Sequence, residues 1–409
     1  MTFLVLNRRR ILDRLPKWFP DAAEQLVVVT APGPVPAAGE QLREKFRHLE
    51  IARDYESAAT EDRIEVLCRR HRVTAILHTA EIDILRAARI GAKLGLPGQS
   101  VASATAYRDK DVMKQHAADA GLQVAAMRRV ESVADLDEFA ARHGFPVVLK
   151  RIDGAAAAGM GVAAGPAQLR DLTASWNGGH PPRPMLAESW IDGDLYHVDG
   201  VMHDGRVLFD WPSRYLYTNW RSRAESLSLL TGMLSAGDPL TPRLRDAARR
   251  VVAALPQSAV PLPFHAEFFH TPADEVVLCE IACRAGGALI VDAFEHGFGI
   301  NLYEAGLKGQ AGRFGEISWR AAPDRYGNGW FMRRRGRLLA IPESCPLPAA
   351  CHYRPLAVPG AGYAEPSSIG DVVGEIVFRL DGPDVAAELA AVDRWWESGV
   401  RWESSDALV

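Results

Sequence analysis

"FHAEFFHTPADEVVLCEIACRAGG", residues 264–287, is the most informative stretch of this chain. Two alternating apolar runs flank "TPADE", where a proline at a turn position is followed by aspartate, so the segment predicts a β-hairpin. If Thr271 pairs with Val276, Glu267 lies directly opposite Glu280 on one face of the hairpin. The stretch therefore predicts two facing carboxylates on a ribbon rich in Phe, Val, Leu and Ile.

The facing glutamates require a positive partner if the hairpin is buried. Directly opposed like charges destabilise a sheet, and burying them costs more. A hard divalent cation that also binds phosphate oxygens would neutralise the pair, and magnesium is the usual occupant of such a site. The alternative is a solvated edge hairpin with two ordinary surface glutamates. The residues alone leave both interpretations open.

A second informative stretch is "FPVVLKRIDGAAAAGMGV", residues 145–162. The apolar run predicts a buried strand over 146–152 with Lys150 near its end. From Gly154 to Gly159 no side chain is larger than a methyl group, and backbone N–H groups of such a loop can cradle phosphate oxygens. Lys150 either reaches solvent or points at an anion, and the loop is either a phosphate cradle or a flexible surface loop.

The first hundred residues alternate between strand and helix patterns, which predicts a small open parallel sheet. No G-x-G-x-x-G follows the first strand, so a dinucleotide-binding domain is disfavoured. The predicted strands here are 2–7, 25–30, 49–54 and 75–79, with helices 57–71 and 80–94.

The middle of the chain predicts one amphipathic helix over 103–120, carrying "RDKDVMK", and then a compact β-α-β-β-α-β unit. The rest mixes strands with two further helices. In this region the predicted strands are 124–130, 146–152, 161–164 and 184–191, and the predicted helices are 133–143, 166–176, 241–255 and 384–397.

Composition excludes several classes of function. The chain has 409 residues, a net charge of −4 and a pI near 6.3, so no basic field recruits nucleic acid or an anionic membrane. No apolar stretch reaches the roughly 20 residues needed to span a bilayer. Five cysteines without a C-x-x-C pair predict neither a disulfide framework nor a zinc site, and they indicate a reducing cytoplasm.

Four features occur in an order that resembles the ATP-grasp superfamily of ligases: Lys110 in a helix, Lys150 before the small-residue loop, the strand "MLAESWIDG" at 185–193, and Glu267…Glu280-x-x-x-Arg284. The resemblance covers roughly residues 1–320. It implies an α/β fold, α+β in places, with three domains. These are a small parallel α/β domain (1–120), a mobile α+β lid (121–194) and a larger α+β C-terminal domain (195–409).

The resemblance also implies which residues bind ATP. Lys110 and Lys150 would hold the α- and β-phosphates, and the loop with Gly154, Gly159 and Gly161 would close over the β- and γ-phosphates. The adenine and ribose would be held by Glu188, Ser189, Trp190, Ile191, His197, Asp199 and Phe269. Of these, Asp199 would face the ribose with His197 beside it, and Phe269 would pack beneath the adenine ring.

For catalysis, the resemblance implies that Glu267 and Glu280 bind Mg²⁺, with Mn²⁺ as a substitute. Arg284 would stabilise the transferring phosphoryl group and the acyl phosphate, so Arg284, Lys150 and Glu280 are the expected catalytic residues. His265 and His270 alternate with Glu267 but have no metal role in the family, so we expect them to be hydrogen-bonded polar residues.

The implied activity is ATP-dependent joining of a carboxylate to an amine through an acyl phosphate, with release of ADP and phosphate. The expected partners are small-molecule acids and amines, and a homodimer is left open. In "DWPSRYLYTNWRSRAES", 210–226, the side chains of Arg214, Tyr215, Trp220 and Arg221 are candidates, with Arg284, for the substrate pocket. An ordinary exposed loop is the alternative.

Two departures from the family pattern favour other functions. Ala282 stands where the family often has an asparagine that binds metal, and the phosphate loop has alanines in place of serine and glycine. A nucleotide-binding protein without ligase turnover is therefore one alternative. A biotin-carboxylase-like activator of bicarbonate is another; no biotin-carrier segment occurs in this chain, although a separate carrier is compatible with it.

Overall fold

A computed structural model describes residues 1–35, 42–347 and 349–403. The helices in those ranges are α1 Leu15–Trp18, α2 Ala22–Gln25, α3 Ala58–His71, α4 Asp83–Leu94, α5 Val101–Ala106, α6 Lys110–Asp119, α7 Val133–His143, α8 Pro166–Thr173, α9 Asn219–Ala224, α10 Leu240–Ala254, α11 Ile290–Phe298, α12 Leu302–Gln310 and α13 Val385–Gly399.

The strands in the same ranges are β1 Phe3–Asn7, β2 Leu26–Thr30, β3 His48–Ile51, β4 Ala75–His78, β5 Met127–Val130, β6 Val147–Arg151, β7 Gly161–Ala163, β8 Met185–Ser189, β9 Asp194–His203, β10 Arg206–Tyr215, β11 Leu229–Met233, β12 Leu262–His270, β13 Val276–Ala282, β14 Tyr326–Met332, β15 Gly336–Ala340, β16 Ala350–Pro355, β17 Gly362–Tyr363, β18 Val372–Arg379 and β19 Arg401–Glu403.

The N-terminal unit is a four-stranded parallel sheet in the order β3-β2-β1-β4. All five residues of β1 are buried, because Leu4 and Leu6 pack on one face and Phe3 and Val5 on the other. Continuous burial is typical of parallel strands covered on both sides by helices. The predicted parallel sheet is confirmed.

The helix predicted over 103–120 is interrupted, so that prediction is wrong in one respect. The chain forms α5 and α6 with a break at 107–109. Asp109 leaves the helical conformation, and its side chain accepts hydrogen bonds from the N–H groups of Asp111 and Val112 at 3.0 and 3.2 Å. This N-cap satisfies otherwise unpaired donors. It makes Lys110 the first residue of α6.

The middle unit is a four-stranded antiparallel sheet in the order β5-β8-β6-β7, packed against α7 and α8. Helix α7 occupies the predicted range, and it begins with a capping box in which the Ser132 and Asp135 side chains each bind the other's backbone N–H. Strand β6 places Lys150 at its exit toward the small-residue loop.

The C-terminal unit is built on an eight-stranded antiparallel sheet in the order β13-β12-β9-β10-β11-β14-β18-β16, with a small sheet β17-β15-β19 beside it. Helix α13 covers part of the large sheet, where Trp396 stacks on Phe331 with ring centroids 4.0 Å apart. Edge strand β13 is covered by the chain after α6, since Leu278 N donates to Gln123 O at 2.9 Å. None of the helices in the described ranges is both long and apolar enough to cross a bilayer.

The hairpin of β12 and β13 places Glu267 opposite Glu280, as predicted, although the turn differs from the prediction. His270, and not Thr271, pairs with Val276, which shifts the register by one residue. Cys279 is then an extra residue in β13, and this bulge restores the predicted pairing at the glutamates. The shifted turn and the bulge therefore cancel, and Glu267 and Glu280 still face each other.

Candidate functional site

One cavity lies where the sheet of the middle unit, the start of α6 and the β12–β13 hairpin meet. Because these elements come from distant parts of the chain, the cavity assembles side chains that the sequence keeps far apart. Its lining includes these predicted residues: Lys110, Lys150, Gly154, Glu188, Ser189, Trp190, Ile191, Trp220, Glu267, Phe269 and Glu280.

A buried carboxylate holds two of the cavity's lysines. Lys150 Nζ lies 2.8 Å from Glu188 Oε2, and Lys114 Nζ lies 2.5 Å from Glu188 Oε1. Burial alone raises the pKa of Glu188, but the two ammonium groups outweigh it and lower that pKa to about 2. Glu188 therefore stays ionised, and its side chain orients the lysines.

Lys114 is a residue of this site that the sequence reasoning missed. It is almost fully buried in α6, and burial lowers the pKa of its ammonium group. The available signal was its spacing of four residues from Lys110, which places both side chains on one face of a helix.

Lys110 links the hairpin to the small-residue loop. Its Nζ lies 3.0 Å from Glu280 Oε2 and donates a hydrogen bond to Gly154 O at 2.6 Å. The ammonium group thus sits between the facing glutamates and the loop, where an anionic ligand bound in the cavity would contact it.

The small-residue loop is held over the cavity from two sides. Arg223 Nη2 donates to Met160 O at 2.7 Å, and Ile369 N donates to Ala156 O at 3.2 Å. Ala156 and Ala157 both have positive φ, 58° and 53°, a conformation that glycine adopts more readily. The contacts from the C-terminal unit therefore hold a backbone shape that alanine does not favour by itself.

Two of the glycines predicted to contact phosphate lie outside the cavity lining. Gly161 lies outside the cavity lining, and a Cβ there would come within 2.5 Å of Leu172, so this glycine allows close packing inside the middle unit. Gly159 has φ of 69° and packs against the Arg151 side chain. The predicted contact of these two residues with phosphate is not supported, and Gly154 alone of the three lines the cavity.

The strand exit at 189–191 offers one free backbone donor. Ser189 N donates to Ala126 O and Trp190 N to Pro146 O, at 2.9 and 3.2 Å, so both N–H groups are used inside the middle unit. Ile191 N has no hydrogen-bond partner among the described residues. With Phe269 also lining this cavity, a flat ring that accepts a hydrogen bond would find an apolar surface and a backbone donor.

Asp199 and His197 lie away from this cavity, so the predicted ribose contact is wrong. Pairing of β9 with β12 puts Asp199 opposite His265, and the Asp199 carboxylate accepts from Gly286 N at 3.2 Å and contacts His265 Nδ1 at 3.0 Å. Its other oxygen is bound to His197 Nδ1. Both side chains are fully buried, and their polar atoms are occupied within the protein.

His197, Asp199 and His265 bring their polar atoms within 4.8 Å of one another, a spacing that a metal ion could bridge. However, His197 uses both ring nitrogens, Nδ1 with Asp199 and Nε2 with Thr231 Oγ1. Burial lowers the pKa of His265, but Asp199 outweighs burial and raises it to about 10. The cluster is a hydrogen-bonded network beneath Glu267, in agreement with the expectation that His265 is a satisfied polar residue.

The facing glutamates offer the oxygen ligands that a hard divalent cation prefers. Glu267 Oε1 accepts from Tyr215 Oη at 2.9 Å and from Asn219 Nδ2 at 2.7 Å. Its Oε2, like Glu280 Oε1, has no hydrogen-bond partner among the described residues. Two carboxyl groups with free oxygens on one face of a sheet fit Mg²⁺ or Mn²⁺.

Arg284 pairs with a carboxylate that the sequence reasoning did not identify. Its Nε donates to Glu81 Oε2 at 2.7 Å, and Arg108 binds the other oxygen of Glu81. Arg284 lies outside the lining of the cavity that holds Lys150, and its Nη2 has no partner among the described residues. Glu81 follows β4 closely. Its position was the available signal, because functional residues of open α/β sheets lie at the carboxyl ends of the strands.

The four residues predicted for a substrate pocket at 210–226 do not come together. Successive strand residues face opposite sides, so Tyr215 points to Glu267 whereas Arg214 binds Asp194 at 2.8 Å. Arg221 is exposed and pairs with Glu225, and Trp220 lines the cavity of Lys150. Tyr215 and Arg221 do line a second cavity together, but Trp220 lines the first and Arg214 neither, so a single pocket shared by all four residues is wrong.

Comparison with known proteins identifies the fold. Residues 109–178 match the family described as the carbamoyl-phosphate synthase L chain, ATP binding domain. The L-amino acid ligase structure from Bacillus licheniformis superimposes with a TM-score of 0.73 at 16% identity, covering 98% of each chain. The carboxyaminoimidazole ribonucleotide synthase from Aspergillus clavatus, complexed with ATP, gives 0.69 at 16% identity, covering 97% of this chain and 98% of that one. The chain has the ATP-grasp fold.

The chain also resembles a curated protein in sequence. It is 27% identical over 236 residues to the L-arginine-specific L-amino acid ligase of Bacillus subtilis. The alignment covers 57% of this chain and 56% of that relative, about half the length of each.

The ion pairs of Glu81 and Glu188 predict a fall in stability in acid. The folded-state pKa values of Glu81 and Glu188 are about 2, below the ordinary value of 4.5. Lowered pKa values stabilise the fold above pH 4.5, and this stability is lost as pH falls toward 2. We expect the urea midpoint, followed by tryptophan fluorescence, to decrease steadily from pH 5 to pH 3. A constant midpoint over that range would contradict the pairing.

Proposed function

We propose that this chain is an ADP-forming ligase that activates a substrate carboxylate as an acyl phosphate and couples it to an amine. The observation that carries the proposal is the convergence of Lys110, Lys150, the loop from Gly154 and the facing glutamates on one cavity. Amino acids are the proposed substrate class, supported by the resemblance to L-amino acid ligases. The three-part division at about 120 and 194 is proposed with it.

In this proposal the cavity binds ATP along its length. Adenine lies against Phe269 and accepts a hydrogen bond from Ile191 N, while Lys110 and Lys150 contact the phosphates. Lys150 is held by Glu188, and Lys110 exchanges its contact with Glu280 for a phosphate oxygen. Because these side chains are already held in the cavity, ATP binding costs little conformational freedom.

The glutamate pair would hold the divalent cation through the free oxygens of Glu267 and Glu280. When bound, the cation offsets negative charge on the phosphate oxygens during phosphoryl transfer.

The chemistry proceeds in two displacements. A carboxylate oxygen of the acid attacks the γ-phosphorus, the bond to the β-phosphate oxygen breaks, and ADP leaves. The amine nitrogen then attacks the acyl carbon, the bond to phosphate breaks, and the nitrogen loses a proton as the amide forms. Side chains contribute mainly position and charge, and the loop held by Arg223 and Ile369 excludes water from the acyl phosphate.

Arg284 is proposed to bind the reacting carboxylate and the acyl phosphate. Glu81 and the carbonyl of Ala285 hold two of its nitrogens, leaving Nη2 available for an anion. Glu81 therefore acts as a positioning residue for the guanidinium.

The proposal is tested by the products formed from ATP across pairs of acids and amines. We expect ADP and phosphate to appear only when both substrates are present, with an amide detected by mass spectrometry. Lys150→Met should lose this activity, because the phosphates lose a buried cation. Formation of AMP would reject the mechanism, ATP binding without turnover would favour a non-catalytic protein, and ADP formation dependent on bicarbonate would favour the carboxylase-like alternative.

A further inference from the structure

Asn219, the first residue of α9, lies beside Glu267 in the cavity. Its Nδ2 donates to Glu267 Oε1 at 2.7 Å. Because a carboxylate only accepts hydrogen bonds, the amide must present its NH₂ group to Glu267 and turn Oδ1 away. That oxygen is buried and has no hydrogen-bond partner among the described residues. Leaving such a buried acceptor unpaired is unfavourable, so Oδ1 is available to a partner from outside the chain, such as a bound ion or water.

The chain lacks an oxygen ligand at a neighbouring position. Two residues after Glu280, Ala282 presents only a methyl group, which is buried opposite His265. A hard cation such as Mg²⁺ needs about six oxygen ligands. Glu267 and Glu280 leave most of them to phosphates and water, so a further neutral oxygen from the protein would complete the set without adding charge.

We propose that Asn219 binds the divalent cation through Oδ1 and supplies, from α9, the amide oxygen that position 282 lacks. This inference rests on the proposed binding of a metal–nucleotide complex. Asn219 then has two contacts with different functions: Nδ2 orients Glu267, and Oδ1 binds the ion that Glu267 also binds.

The backbone around Asn219 is held firmly enough for this role. Thr218 caps α9 by accepting from Arg221 N at 3.3 Å, and the buried Ser222 hydroxyl donates to Ser228 O at 3.1 Å. The position of Asn219 is therefore set before the ion arrives, which favours binding because less freedom is lost.

Manganese binding tests the inference without any turnover. The full chain is mixed with a non-hydrolysable ATP analogue and titrated with Mn²⁺, and free Mn²⁺ is counted by electron paramagnetic resonance. We expect Asn219→Ala to weaken Mn²⁺ binding by about 10-fold or more, because losing only a residue that orients a metal ligand already costs about 10–100-fold and Asn219→Ala removes the proposed ligand as well. Asn219→Asp should stay within about threefold of the unchanged chain, because a carboxylate oxygen is also a good ligand.

The aspartate variant separates the two roles of Asn219. It cannot donate to Glu267, so if Asn219 only orients Glu267, Asn219→Asp will bind Mn²⁺ as weakly as Asn219→Ala, and the inference fails. Equal Mn²⁺ affinity of Asn219→Ala and the unchanged chain would also overturn it. Arg221→Ala, an exposed change in the same helix, is the matched control and should have no effect.

The outcome is independent of ligase chemistry. A chain that forms no ADP with any substrate pair, yet binds Mn²⁺ in an Asn219-dependent way, rejects the proposed ligase and retains the metal ligand. If the unchanged chain binds no Mn²⁺–nucleotide complex, both proposals are rejected.

Discussion

Replacing Glu280 with glutamine is expected to slow ADP formation by at least ~100-fold, the usual loss when one electrostatic contact to a developing charge is removed. Glu280 is only half-buried, and its side chain contacts Lys110 alone among the described charged groups. The amide keeps the size and shape of the carboxylate but removes the charge that faces Glu267. The rate should be measured as phosphate release at saturating ATP and Mg²⁺.

Glu275→Gln is the matched control for this change. Glu275 lies at the exposed turn of the same hairpin, so the same chemical substitution there should leave the rate unchanged. The circular dichroism spectra of both variants should match that of the unchanged chain. Activity of Glu280→Gln within about threefold of the unchanged chain would contradict the role of the facing carboxylates in charge stabilisation.

The largest effect on stability is expected at Glu188. Glu188→Gln leaves Lys114 and Lys150 buried beside a neutral group, and an uncompensated buried charge costs about 3–5 kcal/mol. The free energy of unfolding in urea should fall by this amount. Glu225→Gln breaks only the exposed pair with Arg221 and should change it by about 1 kcal/mol or less.

A second substitution checks the physical cause. Adding Lys114→Met to Glu188→Gln removes one of the two orphaned charges, so the double variant should be more stable than the sum of the two single changes predicts. Additive losses would show that Glu188 and Lys114 act independently, contrary to the ion pair. Equal losses for Glu188→Gln and Glu225→Gln would contradict the buried network altogether.

Local patterns were sufficient for much of this fold. The apolar runs of β1 and β2 and the helical pattern over 133–143 each predicted an element close to its observed bounds. The facing of Glu267 and Glu280 was also predicted, but partly by compensation, because the shifted turn and the bulge at Cys279 cancel. Patterns of two and four residues determine strands and helices, whereas the position of a bulge depends on neighbouring strands.

The sequence indicated which charged side chains matter, but not which of them pair with each other. The sequence left Lys150 either in solvent or pointing at an anion, and the resemblance gave Arg284 an anionic ligand. Neither identified Glu188 and Glu81 as the protein's own partners of these two residues. The assignment of Asp199 to a ribose failed because its carboxylate binds His197, His265 and Gly286 N, contacts that appear only when β9 lies beside β12.

From its sequence alone, this chain determines the strands and helices of its N-terminal unit, its small-residue loop and a hairpin that carries two acids, since each depends on residues near one another in the chain. The tertiary structure decides which charges neutralise which: Lys114 with Glu188, Arg284 with Glu81, and Asn219 with Glu267. The physical reason is that electrostatic and hydrogen-bond energies depend on distance in space and on burial, and both are set only when separate units of the fold pack together.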